Sequence, residues 1–220
     1  DIWSHQSSVY LERDSVKIRD YCIVPEINPN NTLVGIGVFA HEFGHMLGLP
    51  DLYDIDGSSS GVGIYCCMGS GSWGGGGKIP VFLSAYCREK LRWVTPVEIL
   101  ESNIGLHIIP QVDDNPDTTV IKIWKDGYYG VYEYPSSYEY FLIENRNKTG
   151  WDISLPSSGL AIWHVDTGKW LNSNELHPVV ALEQADGEFD LENNRGSDNG
   201  DLYPGITINR SFTDLTIPSS

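Results

Sequence analysis

The chain has 220 residues, 40% of them hydrophobic, which is enough to bury the core of a globular protein. Its 30 acidic residues against 14 basic ones give a net charge of -16, which argues against nucleic acid and anionic membranes as partners. No stretch approaches the roughly 18 consecutive apolar residues of a membrane-spanning helix. No signal peptide begins at Asp1, so we expect the chain to be a mature or truncated form.

A strand is predicted over Val16 to Val24 (VKIRDYCIV), and the pattern from position 41 to 51 reads H-E-x-x-H-x-x-G-x-x-D. On a helix, residues four apart lie about 40° apart around the axis, so His41 and His45 direct their imidazoles toward one point. Glu42 lies about 100° around the axis from His41 and about 60° from His45, close enough to reach a water on a metal ion. The glycine three residues after the second histidine allows a turn with positive φ that delivers Asp51.

This pattern predicts a catalytic zinc site. An isolated H-E-x-x-H also occurs by chance on solvated helix faces, but here a glycine and a third metal-competent side chain follow at the required spacing. Three protein ligands with a fourth position open to water are typical of catalytic zinc. We therefore predict that His41, His45 and Asp51 bind zinc and that Glu42 is the general base.

The chain has four cysteines, Cys22, Cys66, Cys67 and Cys87, of which the middle two are adjacent. A bridge between neighbouring cysteines would be strained, so an oxidised chain is predicted to link Cys22 and Cys87 to the pair beside Met68. Four free, buried thiols are the alternative. The spacing excludes a C-x-x-C zinc ribbon.

The remaining elements predict an α+β fold. A glycine-rich loop, Gly69 to Gly77, is interpreted as flexible access to the cleft, and a helix is predicted over Pro80 to Leu91. After Val97 the pattern changes to β, so we divide the chain into a peptidase core, residues 1–97, and a β-rich C-terminal portion, residues 98–220, packed on it. The predicted strands are Leu106 to Ile109, Thr119 to Trp124, Tyr128 to Tyr134, Tyr140 to Glu144 and Leu160 to Val165.

Three polar residues on or beside these strands, Glu144, His164 and Asp166, could orient ligands near a metal cleft. A lone histidine in an alternating strand is more often a hydrogen-bonded structural residue. We therefore assign no catalytic role to His164, nor to His107 or His177.

An acidic run, Asp186 to Asp201 (DGEFDLENNRGSDNGD), places oxygen ligands at short intervals, with glycines that let the chain bend. Calcium takes six to eight oxygen ligands in loose geometry, although the spacing is not that of an EF-hand. A solvated acidic loop is the alternative. The predicted calcium ligands are Asp186, Asp190, Glu192, Asp198 and Asp201.

Four stretches resemble the immune inhibitor A family of secreted bacterial metallopeptidases, in the metzincin clan. They are positions 2–5 (IWSH), Val38 to Asp54 (VFAHEFGHMLGLPDLYD), Met68 to Trp73 (MGSGSW), and Gly159 to Asp166 (GLAIWHVD) with ADG at 185–187 after it. The resemblance implies a metzincin-like core, zinc on the three residues named above, Met68 as the floor of the metal site, and endoproteolysis of protein or peptide substrates outside the cell.

Two features depart from the clan. Many metzincins carry a tyrosine two residues after the turn methionine, where this chain has Ser70, so the oxyanion partner is unassigned. Tyr65 is a nearby candidate, but a tyrosine there is more often a packing residue. The clan also places a twisted sheet before the active-site helix, and here only forty residues with one predicted strand precede His41. We therefore expect the later part of a longer protein, and poor peptidase activity from this chain alone.

The sequence thus predicts a secreted zinc endopeptidase with calcium as a second metal. A calcium-dependent structural or adhesive module, with a zinc site that is not productive in this fragment, is the rival interpretation. The oligomeric state cannot be predicted from the sequence.

Overall fold

The structure is a computed structural model that describes residues 4–28, 31–112, 120–124 and 138–218. It contains both helices and sheets, which confirms the α+β prediction. Within the described residues, no helix is long and apolar enough to cross a membrane.

The chain begins with a hairpin. Strand β1 (His5–Arg13) pairs antiparallel with β2 (Val16–Ile23), and Asp14 and Ser15 form the turn with φ of 53° and 64°. Both strands contact the helix that carries His41 and His45. The sequence predicted β2 but missed β1, because HQSSVYLER is too polar to resemble a buried strand and forms one by pairing with its neighbour.

Two α-helices follow. Helix α1 (Ile36–Met46) carries the histidine motif, and Gly48 leaves it with a φ of 92°, as predicted for the turn. Helix α2 (Ala85–Lys90) is shorter than predicted, because the Ser84 hydroxyl accepts the Cys87 N–H at 3.4 Å and caps the helix there. Residues 80–83 are therefore irregular rather than helical. Short 3-10 helices occur at Gly63–Tyr65, Ser70–Trp73, Glu101–Asn103 and Gly150–Ser154.

The other sheet has five strands in the order β3-β4-β5-β6-β7, with β3 parallel to β4 and the remaining pairs antiparallel. Three predicted strands correspond to β4, β5 and β6. The predicted strand Leu106 to Ile109 is wrong, since Leu106 and Ile108 are almost fully exposed and irregular. Tyr128 to Tyr134 lies outside the described residues. The bounds are β3 (Val97–Glu98), β4 (Val120–Trp124), β5 (Glu139–Arg146), β6 (Gly159–Asp166) and β7 (Val180–Leu182).

One hydrophobic core joins residues from both sides of the predicted boundary at Val97. Leu52 and Met68 lie in the same buried cluster as Leu142, Trp163 and Leu202. The β-rich portion therefore packs directly against the segment that carries the histidine motif.

A buried ion network also connects the two portions. Glu144 accepts hydrogen bonds from Arg88, Arg146 and Trp163, and Arg146 also donates to both oxygens of Asp152. Arg146 Nη1 further donates to the backbone oxygen of residue 65 at 2.8 Å. Glu144 is thus a structural residue that helps hold the chain just before Met68.

Candidate metal centre

Three side chains from α1 and the turn after it converge on one point. Asp51 Oδ1 lies 3.1 Å from His41 Nε2 and 3.1 Å from His45 Nε2. The two imidazole centroids are 4.8 Å apart with the ring planes at 90°. One potential ligand atom from each of the three residues lies within 4.8 Å of the others.

The hydrogen bonds of the imidazoles define their orientation. His41 Nδ1 lies 2.9 Å from the Cys67 carbonyl oxygen, and His45 Nδ1 lies 2.9 Å from the Leu49 carbonyl oxygen. Because a carbonyl can only accept, both Nδ1 atoms carry the proton. In neutral imidazoles both Nε2 lone pairs then face the Asp51 carboxylate, an arrangement that a divalent cation between them would stabilise. Two imidazoles with one carboxylate are a donor set that suits zinc.

The carboxylate of this group is strongly acidic. Burial alone would raise the pKa of Asp51, but hydrogen bonds with His41 and His45 hold it well below its usual range. Burial lowers the pKa of His45, while its hydrogen bonds with Asp51 and the Leu49 carbonyl raise it by more. The two imidazoles therefore favour the charged form of Asp51.

Glu42 lies beside this group, on the wall of a cleft. Only 6% of the residue is exposed, and it lines a cleft of about 300 Å³ together with His41, Tyr53, Ser70 and Trp73. The cleft brings a carboxylate and one of the imidazoles to the same solvent-filled space. This is the arrangement that a general base needs to reach a water molecule.

Tyr53 is a residue of the site that sequence reasoning missed. Its ring stacks on His41, with centroids 5.9 Å apart and ring planes 25° apart. Burial and the nearby charge of Asp51, to which it is hydrogen-bonded, raise the pKa of Tyr53. The available signal was its place in the sequence, two residues after Asp51.

Met68 lies under the helix, beside the histidines. It is fully buried, and a Cβ added at Gly44 would lie 2.5 Å from Met68 Sδ. The Leu52 N–H donates to the Met68 carbonyl oxygen at 2.8 Å, while the preceding carbonyl, of Cys67, holds His41. The Met68 turn therefore packs against α1 at Gly44 and is hydrogen-bonded to His41 and to the segment just after Asp51.

The glycine-rich loop after Met68 is closely packed, in contrast to the predicted flexible access. Ser70–Trp73 forms a 3-10 turn against α1. A Cβ at Gly37 would lie 1.9 Å from the Ser72 carbonyl oxygen, and one at Gly35 would lie 2.0 Å from that of Gly77. The glycines allow the loop and helix backbones to approach each other.

Tyr65, the candidate for the oxyanion partner, faces the other way. Its hydroxyl lies 2.8 Å from Asp201 Oδ2 and 2.9 Å from the Asp198 carbonyl oxygen. The residue is fully buried, and burial and the charge of Asp201 raise the pKa of the phenol. The suggestion that Tyr65 serves the cleft is therefore wrong.

Asp186, Asp198 and Asp201 of the acidic run, Asp186–Asp201, which we call the acidic loop, form a second cluster. One potential ligand oxygen from each lies within 4.8 Å of the others. Asp201 is 1% exposed, and its Oδ1 has no hydrogen-bond partner within the described part of the chain, whereas its Oδ2 accepts from the Asp198 N–H. Burial raises the pKa of Asp201 to about 6, and the charges of Asp198 and Asp186 contribute. The cluster thus has an unsatisfied buried oxygen among like charges.

The other two predicted calcium ligands point elsewhere. Asp190 Oδ1 lies 3.1 Å from Arg195 Nη1, and Glu192 Oε2 accepts from Gln184 Nε2 at 2.6 Å. The structure therefore brings together three of the five predicted residues.

His164 occupies a structural position on β6. Its Nε2 lies 3.0 Å from Glu139 Oε2, and its ring stacks on Phe141 at 5.1 Å. Asp166, at the end of the same strand, accepts the Gly168 N–H in a turn. Neither is needed for the group formed by His41, His45 and Asp51.

Comparison with known proteins finds the family that the sequence motifs indicated. The family model described as "Immune inhibitor A peptidase M6, catalytic domain" matches residues 1–93, which include every residue of the metal centre. The resemblance to the immune inhibitor A family is confirmed.

Curated relatives of this family show the same similarity. The "Pre-pro-metalloprotease PrtV" of Vibrio cholerae serotype O1 is 35% identical over 101 residues, which cover 40% of this chain and 11% of the relative. "Immune inhibitor A" of Bacillus thuringiensis subsp. alesti is 33% identical over 133 residues, covering 48% of this chain and 18% of the relative. The alignments thus span a small part of each relative.

Proposed function

We propose that this chain carries the catalytic centre of a secreted zinc endopeptidase with a metzincin-like core. The observation that supports this is the convergence of His41 Nε2, His45 Nε2 and Asp51 Oδ1, with the imidazole protons directed away from that point. The immune inhibitor A relatives support a metal-dependent peptidase, and we extend to this chain the secretion that the family resemblance implies.

The proposed roles follow from position. His41, His45 and Asp51 would hold the zinc ion, and bound zinc would acidify a water molecule and polarise the scissile carbonyl. Glu42 accepts a proton from the attacking water and delivers it to the leaving amine. Met68 and the Cys67 carbonyl keep the helix and His41 in place. The open cleft beside Glu42 would receive an extended protein or peptide substrate.

The test is Glu42→Gln in the full-length protein, which replaces the carboxylate with an amide of nearly the same shape. We expect zinc content by elemental analysis to be unchanged and cleavage of an unfolded protein to fall by roughly 100-fold or more. Glu175→Gln, at an exposed glutamate, is the matched control and should retain activity.

Two outcomes would count against the proposal. Normal turnover by a folded, zinc-loaded Glu42→Gln protein would show that another residue is the base. A parent protein that binds zinc but shows no cleavage sensitive to a zinc chelator would favour the rival structural or adhesive module.

For the acidic loop we propose a calcium site formed by Asp186, Asp198 and Asp201. The buried Asp201 Oδ1, which has no hydrogen-bond partner among the described residues, supports it, because carboxylate oxygens are ligands that calcium prefers and the ion would offset the repulsion among the three charges. Asp190 and Glu192 are left out of this site because Arg195 and Gln184 contact them.

An ion that binds only the folded state raises stability by mass action. The midpoint of thermal unfolding should rise by roughly 5–10 °C when the free calcium concentration is about 100 times the Kd. It should rise much less in sodium chloride of equal ionic strength. Asp198→Asn should reduce this rise, while Asp190→Asn should retain it. Equal midpoints in the two salts would leave only a solvated loop.

A further inference from the structure

Two cysteines lie in contact below the metal centre. Cys66 Sγ is 3.7 Å from Cys87 Sγ, and neither residue has exposed surface. Both are free thiols in the structure. Cys66 lies two residues before Met68, and Cys87 lies on α2. The contact therefore joins two parts of the chain that are 21 residues apart.

The backbone holds both sulfur atoms in place. Cys66 Sγ accepts the N–H of Met68 at 3.4 Å and the N–H of Ser84 at 3.3 Å. The Ser84 hydroxyl in turn accepts the Cys87 N–H, so the same residue positions both thiols. Cys22, by contrast, is partly exposed on β2 in the hairpin.

We propose that Cys66 and Cys87 form a disulfide when the protein folds in an oxidising compartment, and that this bond ties the floor of the metal centre to α2. The sequence left the partner of Cys87 open between Cys66 and Cys67, and the Sγ contact selects Cys66. The proposal does not depend on peptidase activity.

The bond forms by thiol–disulfide exchange with a small disulfide such as oxidised glutathione. The Cys66 thiolate attacks one sulfur of the small disulfide and releases one thiolate. The Cys87 thiol then loses its proton and attacks the mixed disulfide at Cys66 Sγ, releasing the second thiolate. One protein S–S bond forms, two protein thiols are oxidised, and two small thiols are produced.

The timing of the exchange follows from the burial of the two sulfurs. Since both sulfurs are fully buried in the folded protein, the exchange must precede closure of α2 over the turn. The bond should thereafter resist mild reductants until the protein unfolds.

The bond can be mapped because methionines separate the cysteines. The chain has two methionines, Met46 and Met68, and cyanogen bromide cleaves after each. Cys22, the adjacent Cys66 and Cys67, and Cys87 therefore fall into three different fragments. The full-length protein, exported to an oxidising compartment, would be alkylated under denaturing conditions without reduction, cleaved, and analysed by mass spectrometry.

We expect the fragment of residues 47–68 to be linked to the one that contains Cys87, and the link to disappear on reduction. The link should persist in a Cys67→Ser protein and be lost in a Cys66→Ser protein. Alkylation of both Cys66 and Cys87 without reduction would overturn the proposal. So would a link from Cys87 to the Cys22 fragment, or one that depends on Cys67.

Stability provides a second measurement. A disulfide across this separation should raise the midpoint of thermal unfolding by roughly 6–12 °C. Reduction during denaturation should remove this increment from the parent and from Cys67→Ser. The Cys87→Ser protein should start from the lower midpoint and show no further drop on reduction. An equal response to reductant in Cys87→Ser and the parent would contradict the bond.

Discussion

The metal centre and the acidic loop each gather three potential ligand side chains, but they do so on different backbones. His41 and His45 are fixed by one helical turn, and their Nδ1 atoms are held by the carbonyls of Cys67 and Leu49. Asp186, Asp198 and Asp201 come from an irregular segment, in which the Asp201 Oδ1 has no hydrogen-bond partner. The first cluster is a set of oriented donors, and the second is a concentration of negative charge.

The difference affects what each cluster can bind. Oriented nitrogen donors with one carboxylate favour a small ion that accepts few ligands, as zinc does. Several carboxylates on a loop favour a larger ion that accepts many oxygens in loose geometry, as calcium does. Losing one ligand should therefore be more damaging in the metal centre than in the acidic loop.

The largest expected effect comes from removing an imidazole. His41→Ala should weaken zinc binding by more than the roughly 10- to 100-fold typical of residues that only contact a ligand, because it deletes one of the three proposed ligands. Chelator competition with elemental analysis measures this. The control is His164→Ala, since that imidazole pairs with Glu139 in the sheet. If both variants held zinc as the parent does, the contrast between oriented donors and simple charge would fail.

A smaller effect is expected from the floor of the metal centre. Gly44→Ala places a methyl group 2.5 Å from Met68 Sδ and should cost about 1–2 kcal/mol of stability, after allowing for the better helix propensity of alanine. Thermal unfolding would show this as a midpoint lower by several degrees. The double variant Gly44→Ala/Met68→Ala should lose less than the sum of the single changes. Additive losses would mean that the methyl and the sulfur do not meet.

The smallest expected effect concerns charge beside the acidic loop. Burial raises the pKa of Glu183 to about 7, and the charge of Glu192 adds to the shift, while His164 Nδ1 lies 3.8 Å away. Because the folded pKa exceeds the unfolded value, the stabilising contribution is complete below about pH 4.5 and is lost as the pH rises through 7. Glu183→Gln should therefore stabilise the protein by roughly 1 kcal/mol at pH 8.5 and much less at pH 5.

Thermal midpoints of parent and variant across this pH range would measure the effect of Glu183, with the exposed Glu175→Gln as the control. If the difference in midpoint between parent and Glu183→Gln did not change with pH, burial and Glu192 would not raise the pKa of Glu183.

The sequence predicted best where a regular backbone sets the spacing. His41 and His45 could be expected to converge because a helix repeats every 3.6 residues, and the turn at Gly48 follows from the conformational freedom of glycine. Strands β5 and β6 were predicted because their buried apolar residues differ clearly from the surrounding turns.

Prediction failed where particular side-chain contacts, rather than a regular backbone spacing, decide the structure. The local sequence pattern does not distinguish Asp190 from Asp198 as a calcium ligand. In the structure Asp190 pairs with Arg195, whereas Asp198 lies in the cluster with Asp201. Tyr65 lies near the turn in sequence, yet a partner 136 residues later directs its hydroxyl away from the cleft. Helix α2 began later than predicted because a local cap at Ser84 outweighed the apolar spacing before it.

The contact between Tyr65 and Asp201 has a consequence for biosynthesis. All the proposed zinc ligands lie within the first 51 residues of the chain. The Tyr65 hydroxyl, which anchors the turn, bonds to Asp201, 136 positions after Tyr65. At 5–20 residues per second, a ribosome needs roughly 7–27 s to make that stretch. During this interval the nascent chain carries the proposed zinc ligands and the Met68 turn without the contact between Tyr65 and Asp201. Chaperones and metal ions would therefore encounter the proposed ligands before the turn beneath them is anchored.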